Sequence, residues 1–136
     1  MRSWLALQWS RKWIAWGALI MALSVAIGAF GAHMLENQIS EDALATFETG
    51  VHYHMIHGLA LILTGLAGIG LGASRKLYWA GCLFVIGIVI FSGSLYVLSL
   101  SGTKWLGAIT PIGGVSFIAG WIMLALGALG SSRSQK

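Results

Sequence analysis

The chain has 136 residues, of which 57% are hydrophobic and only 9% charged, with a formal net charge of +4. A soluble domain carries about 25% charged residues, so this composition excludes a water-soluble shell. A second domain is excluded too, because four long apolar stretches at residues 13–35, 51–73, 77–99 and 105–129 use nearly the whole length.

Each stretch has roughly 20 residues or more, which at ~1.5 Å per residue crosses a hydrocarbon core of ~30 Å. Lipid offers no hydrogen bonds, so each must satisfy its own backbone as a helix. The expected fold is an all-α, integral membrane four-helix bundle in a bacterial cytoplasmic membrane.

The first stretch is preceded by Arg2, Arg11 and Lys12, with Trp4, Trp9, Trp13 and Trp16 around its inner end as interfacial anchors. Arg11-Lys12, an apolar run and small residues near Ala29 and Gly31 loosely resemble a signal peptide. The run exceeds the usual ~7–15 residues of a signal core, so an uncleaved helix is expected. His33 and Glu36, three apart, mark its outer end.

Ser40 followed by Glu41 and Asp42 reads as an N-cap with acids in the first turn. The second helix is therefore expected from about residue 41 to about 73, with Leu44, Phe47 and Val51 near the outer surface. His54 and His57 share a face with Gly50, Gly58 and Leu61. His52 points the other way, four residues after Glu48, with which it can pair at the surface.

Arg75 and Lys76, then Tyr78 and Trp79, open the third stretch. Cys82 is the only cysteine and reads as a small apolar filler. Ser92, Ser94 and Tyr96 lie toward its outer end. Before the fourth stretch, Thr110-Pro111 offers an N-cap and a proline suited to a first helical position. That helix starts either at Pro111, with Trp105 pinning a surface connector, or at Trp105 with a kink at Pro111. Trp121 is too deep for an anchor and reads as packing.

Seven basic residues, Arg133 and Lys136 included, fall on one side and only Lys104 on the other. This places both termini in the cytoplasm, and it assigns the positive charge to topology and anionic lipid instead of nucleic acid. Gly68/Gly72, Ala18/Ala22/Ala26 and Ser116/Gly120, with Gly107/Pro111/Gly114 if that stretch is helical, form small-residue stripes that let helices approach closely, within a monomer or in a homo-oligomer.

With this topology, His33, Tyr53, His57, Ser92, Ser94, Tyr96, Thr110 and Ser116 all fall in the outer half of the membrane. They read either as a hydrogen-bond network that fixes helix register, at ~0.6–2 kcal/mol per contact, or as a functional site.

Four segments carry a family resemblance: Gly28 to His33 (GAFGAH), Phe47-x-Thr49-Gly50 with Tyr53 and His57-x-Leu59-Ala60, Phe91 to Tyr96 (FSGSLY), and Thr110 to Trp121 (TPIGGVSFIAGW). Together they resemble the domain of unknown function 423 family over nearly the whole chain. The resemblance implies a small multi-span membrane protein without an established activity. His33, Tyr53, His57, Ser92, Ser94, Tyr96, Thr110, Pro111, Gly113, Gly114 and Ser116 match its motif positions. His52 and His54 do not, which leaves His33 and His57 as the stronger site candidates.

The leading expectation is a non-enzymatic module with an outward-facing polar pocket for a lipid headgroup or small amphiphile. His33 and His57 would line it, and the free amides of Ile112, Gly113 and Gly114 would attract anions. A transport or proton-relay component would use the same histidines in an oligomer, since no internal repeat supports an alternating-access carrier. A metal site could draw on His54 and His57 with His33 or Glu36. A serine–histidine enzyme using Ser92, Ser94 or Ser116 lacks an orienting acid and a Gly-x-Ser-x-Gly elbow. An accessory subunit of a larger membrane complex is the remaining alternative. No cofactor is expected; membrane lipids are the expected partners, with a homo-oligomer or membrane-protein partner left open.

Overall fold

The computed structural model describes residues 2–131, with side chains over 4–130. Helix α1 (Arg2–Phe30) runs into a π turn (Gly31–Leu35). Helix α2 covers Glu41–Gly70. The third span is α3 (Arg75–Gly87), a π turn (Ile88–Ser92) and α4 (Gly93–Ser101). A 3-10 turn (Lys104–Ala108) leads into α5 (Thr110–Ser131). Four stretches are long and apolar enough to cross a membrane: Trp4–Leu35, Glu41–Gly70, Arg75–Ser101 and Lys104–Gly130.

The ends follow local chemistry. The Ser40 hydroxyl accepts the Ala43 amide at 3.1 Å and starts α2 where the sequence indicates. Helix α2 stops at Gly70, short of the expected residue 73, because Gly72 takes φ +89°, a left-handed conformation open to glycine. Ser74 caps α3 by accepting the Leu77 amide at 3.3 Å. Gly102, at φ +70°, closes α4. Helix α1 begins well before residue 13, since neither glycine nor proline interrupts residues 2–16. Of the two starts considered for the fourth helix, the chain takes the one at the proline: α5 opens at Thr110, and residues 104–108 form the separate 3-10 turn. Arg133 and Lys136 lie outside the described residues.

Helix α2 packs on α1 by one side and on the third span by another, and the third span packs in turn on α5. The seam between third span and α5 repeats every seven residues. A Cβ added to Gly113, Gly120 or Gly127 would strike Phe91, Phe84 or Leu77 respectively: a large side chain stands over Gly120 and Gly127, and the Phe91 backbone and Cβ over Gly113. Phe117 returns the arrangement over Gly87. A seven-residue repeat of knobs over holes is the geometry of left-handed helix pairs, and glycine supplies the hole. On α1 the buried small residues Ser10, Gly17, Ser24 and Gly31 show the same spacing. Gly17 closes on Ile62 and the Gly58 carbonyl, and Gly31 closes on the ring of Phe47.

Only part of the small-residue stripes packs within the chain. Ala18, Ala22 and Ala26 are exposed, as are Gly107 and Pro111, and Gly72 belongs to a turn. Ser116 and Gly120 do form a packed stripe, as does Gly68, which lies against Ser10 and Trp9. The core gathers Ala60, Ala80, Phe84, Ile88 and Phe117, with Ile20, Phe91, Met123 and Leu124 packed around it.

Candidate functional site

The polar centre of the fold is His57, 3% exposed, on the α2 face turned toward α5. Its Nδ1 lies 2.7 Å from the Tyr53 carbonyl, one turn earlier. A carbonyl only accepts, so Nδ1 carries the proton. Its Nε2 lies 3.0 Å from Trp121 Nε1, across the helix interface. An indole N–H only donates, so Nε2 offers a lone pair. The two partners together select the neutral Nδ1–H imidazole. Phe117 stacks on the ring at 3.5 Å between centroids and 11° between planes, and Phe84 and Trp121 close the sides at 5.7 and 5.8 Å.

His54, equally buried, pairs its Nδ1 with the Tyr96 hydroxyl at 2.9 Å, and its ring also engages the backbone of Ile20 on α1. Ser92, at the end of the π turn, donates to the Gly50 carbonyl at 2.7 Å. Ser116 donates to the Leu83 carbonyl at 2.8 Å. Ser94 and Thr110 lie 2.6 Å apart, with the Phe91 and Leu106 carbonyls beside them at 2.9 and 3.2 Å. Two hydroxyl protons thus serve three contacts. Each of these groups ties one helix to another or to its own backbone.

Several expectations about placement change. The hydroxyls expected at the depth of His57, as one network with it, bond elsewhere, and Trp121, read as packing, is its partner. His33 is exposed on the π turn that ends α1, whereas His57 is buried, so they do not line one cavity. Gly113 offers no anion nest, because the backbone and Cβ of Phe91 occupy the space beside it. Gly114 also faces the Phe91 ring, and the Ile112 amide already donates to the Ile109 carbonyl at 3.0 Å. Tyr53 is partly exposed and packs on Phe91 at 4.5 Å. Among the described residues, no three His, Cys, Asp or Glu side chains converge to hold a metal. His54 and His57 have their bonding commitments elsewhere. Trp121 had a signal in the sequence, since an indole this deep needs an acceptor, and His57 is the deepest histidine on a neighbouring span.

Open space lies at the ends of the bundle. A small cleft of about 190 Å³ at the acidic end is lined by Gly28, Gly31, Phe47, Glu48, Val51 and His52, among others. At the basic end, cavities of about 650 and 400 Å³ flank the turn between α2 and α3, and both include Ser74 and Arg75 in their walls.

Comparison with known proteins bears on the whole arrangement. A family profile described as protein of unknown function (DUF423) matches residues 27–114. A UPF0382 membrane protein of Staphylococcus haemolyticus is 50% identical over 116 residues, covering 85% of this chain and 93% of the relative. The UPF0382 membrane protein YwdK of Bacillus subtilis is 46% identical over 119 residues, covering 88% and 97%. No solved structure matches. The profile spans the His57 and Ser92–Ser94 segments and stops before Trp121.

Proposed function

This chain belongs to the DUF423 family and is a multi-pass membrane protein, and we propose that it works as a non-enzymatic module: a fixed four-span body that meets an amphiphile at headgroup depth. The observation that supports this is the commitment of His57. Both ring nitrogens are bonded, and its face is covered by Phe117. A relay histidine must exchange partners, and a catalytic one must turn a nitrogen to a nucleophile or to substrate. His57 does neither while Trp121 is in place. The serines in turn bond backbone carbonyls and lack the acid–histidine arrangement of a nucleophile.

The amphiphile contact belongs at the bundle ends, where clefts exist, and not among the interior hydroxyls. With the basic end in the cytoplasm, as the charge bias favours, both termini lie inside. Reconstitution into liposomes containing a pH-sensitive dye tests the reading. Equal proton leak for the wild type and His57→Gln is the expected result. A leak through the wild type that His57→Gln abolishes overturns it.

A second reading, an accessory subunit or homo-oligomer, has one observation in its favour. Helix α1 is a flank of the fold, and Trp16, Leu19, Leu23 and Val25 on it are all more than half exposed. Co-purification in mild detergent, with and without Leu23→Arg on that face, separates the two.

A further inference from the structure

We propose that the cleft beside the α2–α3 turn binds an anionic phospholipid, with Arg75 on the phosphate and Trp9, Tyr78 and Trp79 against the glycerol and upper acyl carbons. This rests on the reading of the chain as an amphiphile-contacting module and names the ligand class. The cavity measures about 650 Å³, and its walls include Leu5, Trp9, Ser74, Arg75, Tyr78 and Trp79. That is within the ~300–1,000 Å³ of typical ligand sites.

Charge selects an anion. Arg11, Lys12, Arg75 and Lys76 gather at this end, while all four acids lie within residues 36–48 at the opposite end of α2. Glu48 precedes Gly70 by 22 residues, roughly 33 Å of helix, which is more than three Debye lengths at physiological salt. Among the described residues, no side-chain carboxylate is therefore at hand to neutralise Arg75. The Ser74 hydroxyl already accepts the Leu77 amide. The guanidinium is the group left for a phosphate, and its planar fork suits one.

The aromatic wall selects a lipid over a free anion. The rings of Trp9 and Tyr78 meet edge to face at 5.9 Å, and those of Tyr78 and Trp79 at 6.1 Å. Such rings favour the headgroup level, and inorganic phosphate gains nothing from them. A second cleft of about 400 Å³ across the turn, with Lys76 in its wall, keeps the surroundings of Arg75 cationic.

The test is native mass spectrometry of the full chain released from nanodiscs holding equal phosphatidylglycerol and phosphatidylcholine. Phosphatidylglycerol is expected to be retained about five-fold or more over phosphatidylcholine, and Arg75→Gln to lower that ratio about five-fold. Ala6 is also in the wall of the cleft, and Ala6→Trp, which fills the cleft without changing charge, is expected to lower the ratio comparably. Lys104→Gln, at the other end, is expected to leave it unchanged. A ratio unaffected by Arg75→Gln or by Ala6→Trp overturns the site, and so does displacement of the lipid by excess inorganic phosphate. A proton leak that depends on His57 would defeat the fixed-body reading without touching these ratios, so the two failures are distinguishable.

Discussion

Trp121 on α5 and His57 on α2 fix each other: the indole N–H points at the one imidazole nitrogen that can accept it. Removing the donor leaves a buried acceptor unsatisfied, at a cost of ~1–3 kcal/mol. Trp121→Phe is therefore expected to destabilise the protein by that amount in reversible unfolding in detergent micelles. Trp105→Phe, at a tryptophan 65% exposed, is expected to change stability by less than about 0.5 kcal/mol.

Adjacent glycines on α5 should behave oppositely. A methyl on Gly113 runs into the Phe91 backbone nitrogen and its Cβ, and a backbone cannot rotate away. Gly113→Ala is expected to cost about 1–3 kcal/mol through overpacking. A methyl on Gly114 meets only the Phe91 ring, at 3.9 Å, so Gly114→Ala is expected to be neutral within about 0.5 kcal/mol. Paired unfolding midpoints measure the contrast.

The His54–Tyr96 bond, at 2.9 Å, joins α2 to the third span. A double-mutant cycle with His54→Ala and Tyr96→Phe is expected to return a coupling of ~0.6–1.7 kcal/mol, the range of interhelical hydrogen bonds in membranes. A coupling of zero would mean that ring packing alone holds this contact.

Orientation has its own measurement. In a Cys82→Ser background, Asp42→Cys is expected to react with a membrane-impermeant maleimide in intact cells, and Ala73→Cys only after lysis. The reverse pattern would place the basic end outside and invert the assignment of the termini.

The spans and the start of α2 were legible because each depends on local chemistry: apolar length, a serine oxygen, two acids in a first turn. Partnerships were not, because they depend on how two helices are rotated against each other. His57 shows this. Hydroxyls at a similar depth looked available, but Ser92 and Ser116 face backbone carbonyls, and the acceptor of His57 meets an indole instead. The π turn at Gly31–Leu35 carries His33 to the outside, and no feature of the sequence marked that turn. The Ala18/Ala22/Ala26 stripe takes no part in packing within the chain, and alanine is equally suited to facing lipid. The seven-residue spacing of Gly113, Gly120 and Gly127 was present in the sequence, and it is the spacing at which Phe91, Phe84 and Leu77 lie opposite.

Those glycine seams lie within helix pairs, α1 with α2 and the third span with α5, whereas His54–Tyr96, Ser92–Gly50 and Trp121–His57 join one pair to the other. During biogenesis, an insertion machinery that releases spans two at a time would deliver a pair of pre-zipped hairpins. Shape would then govern each zipper, and three directional bonds would choose how the halves dock.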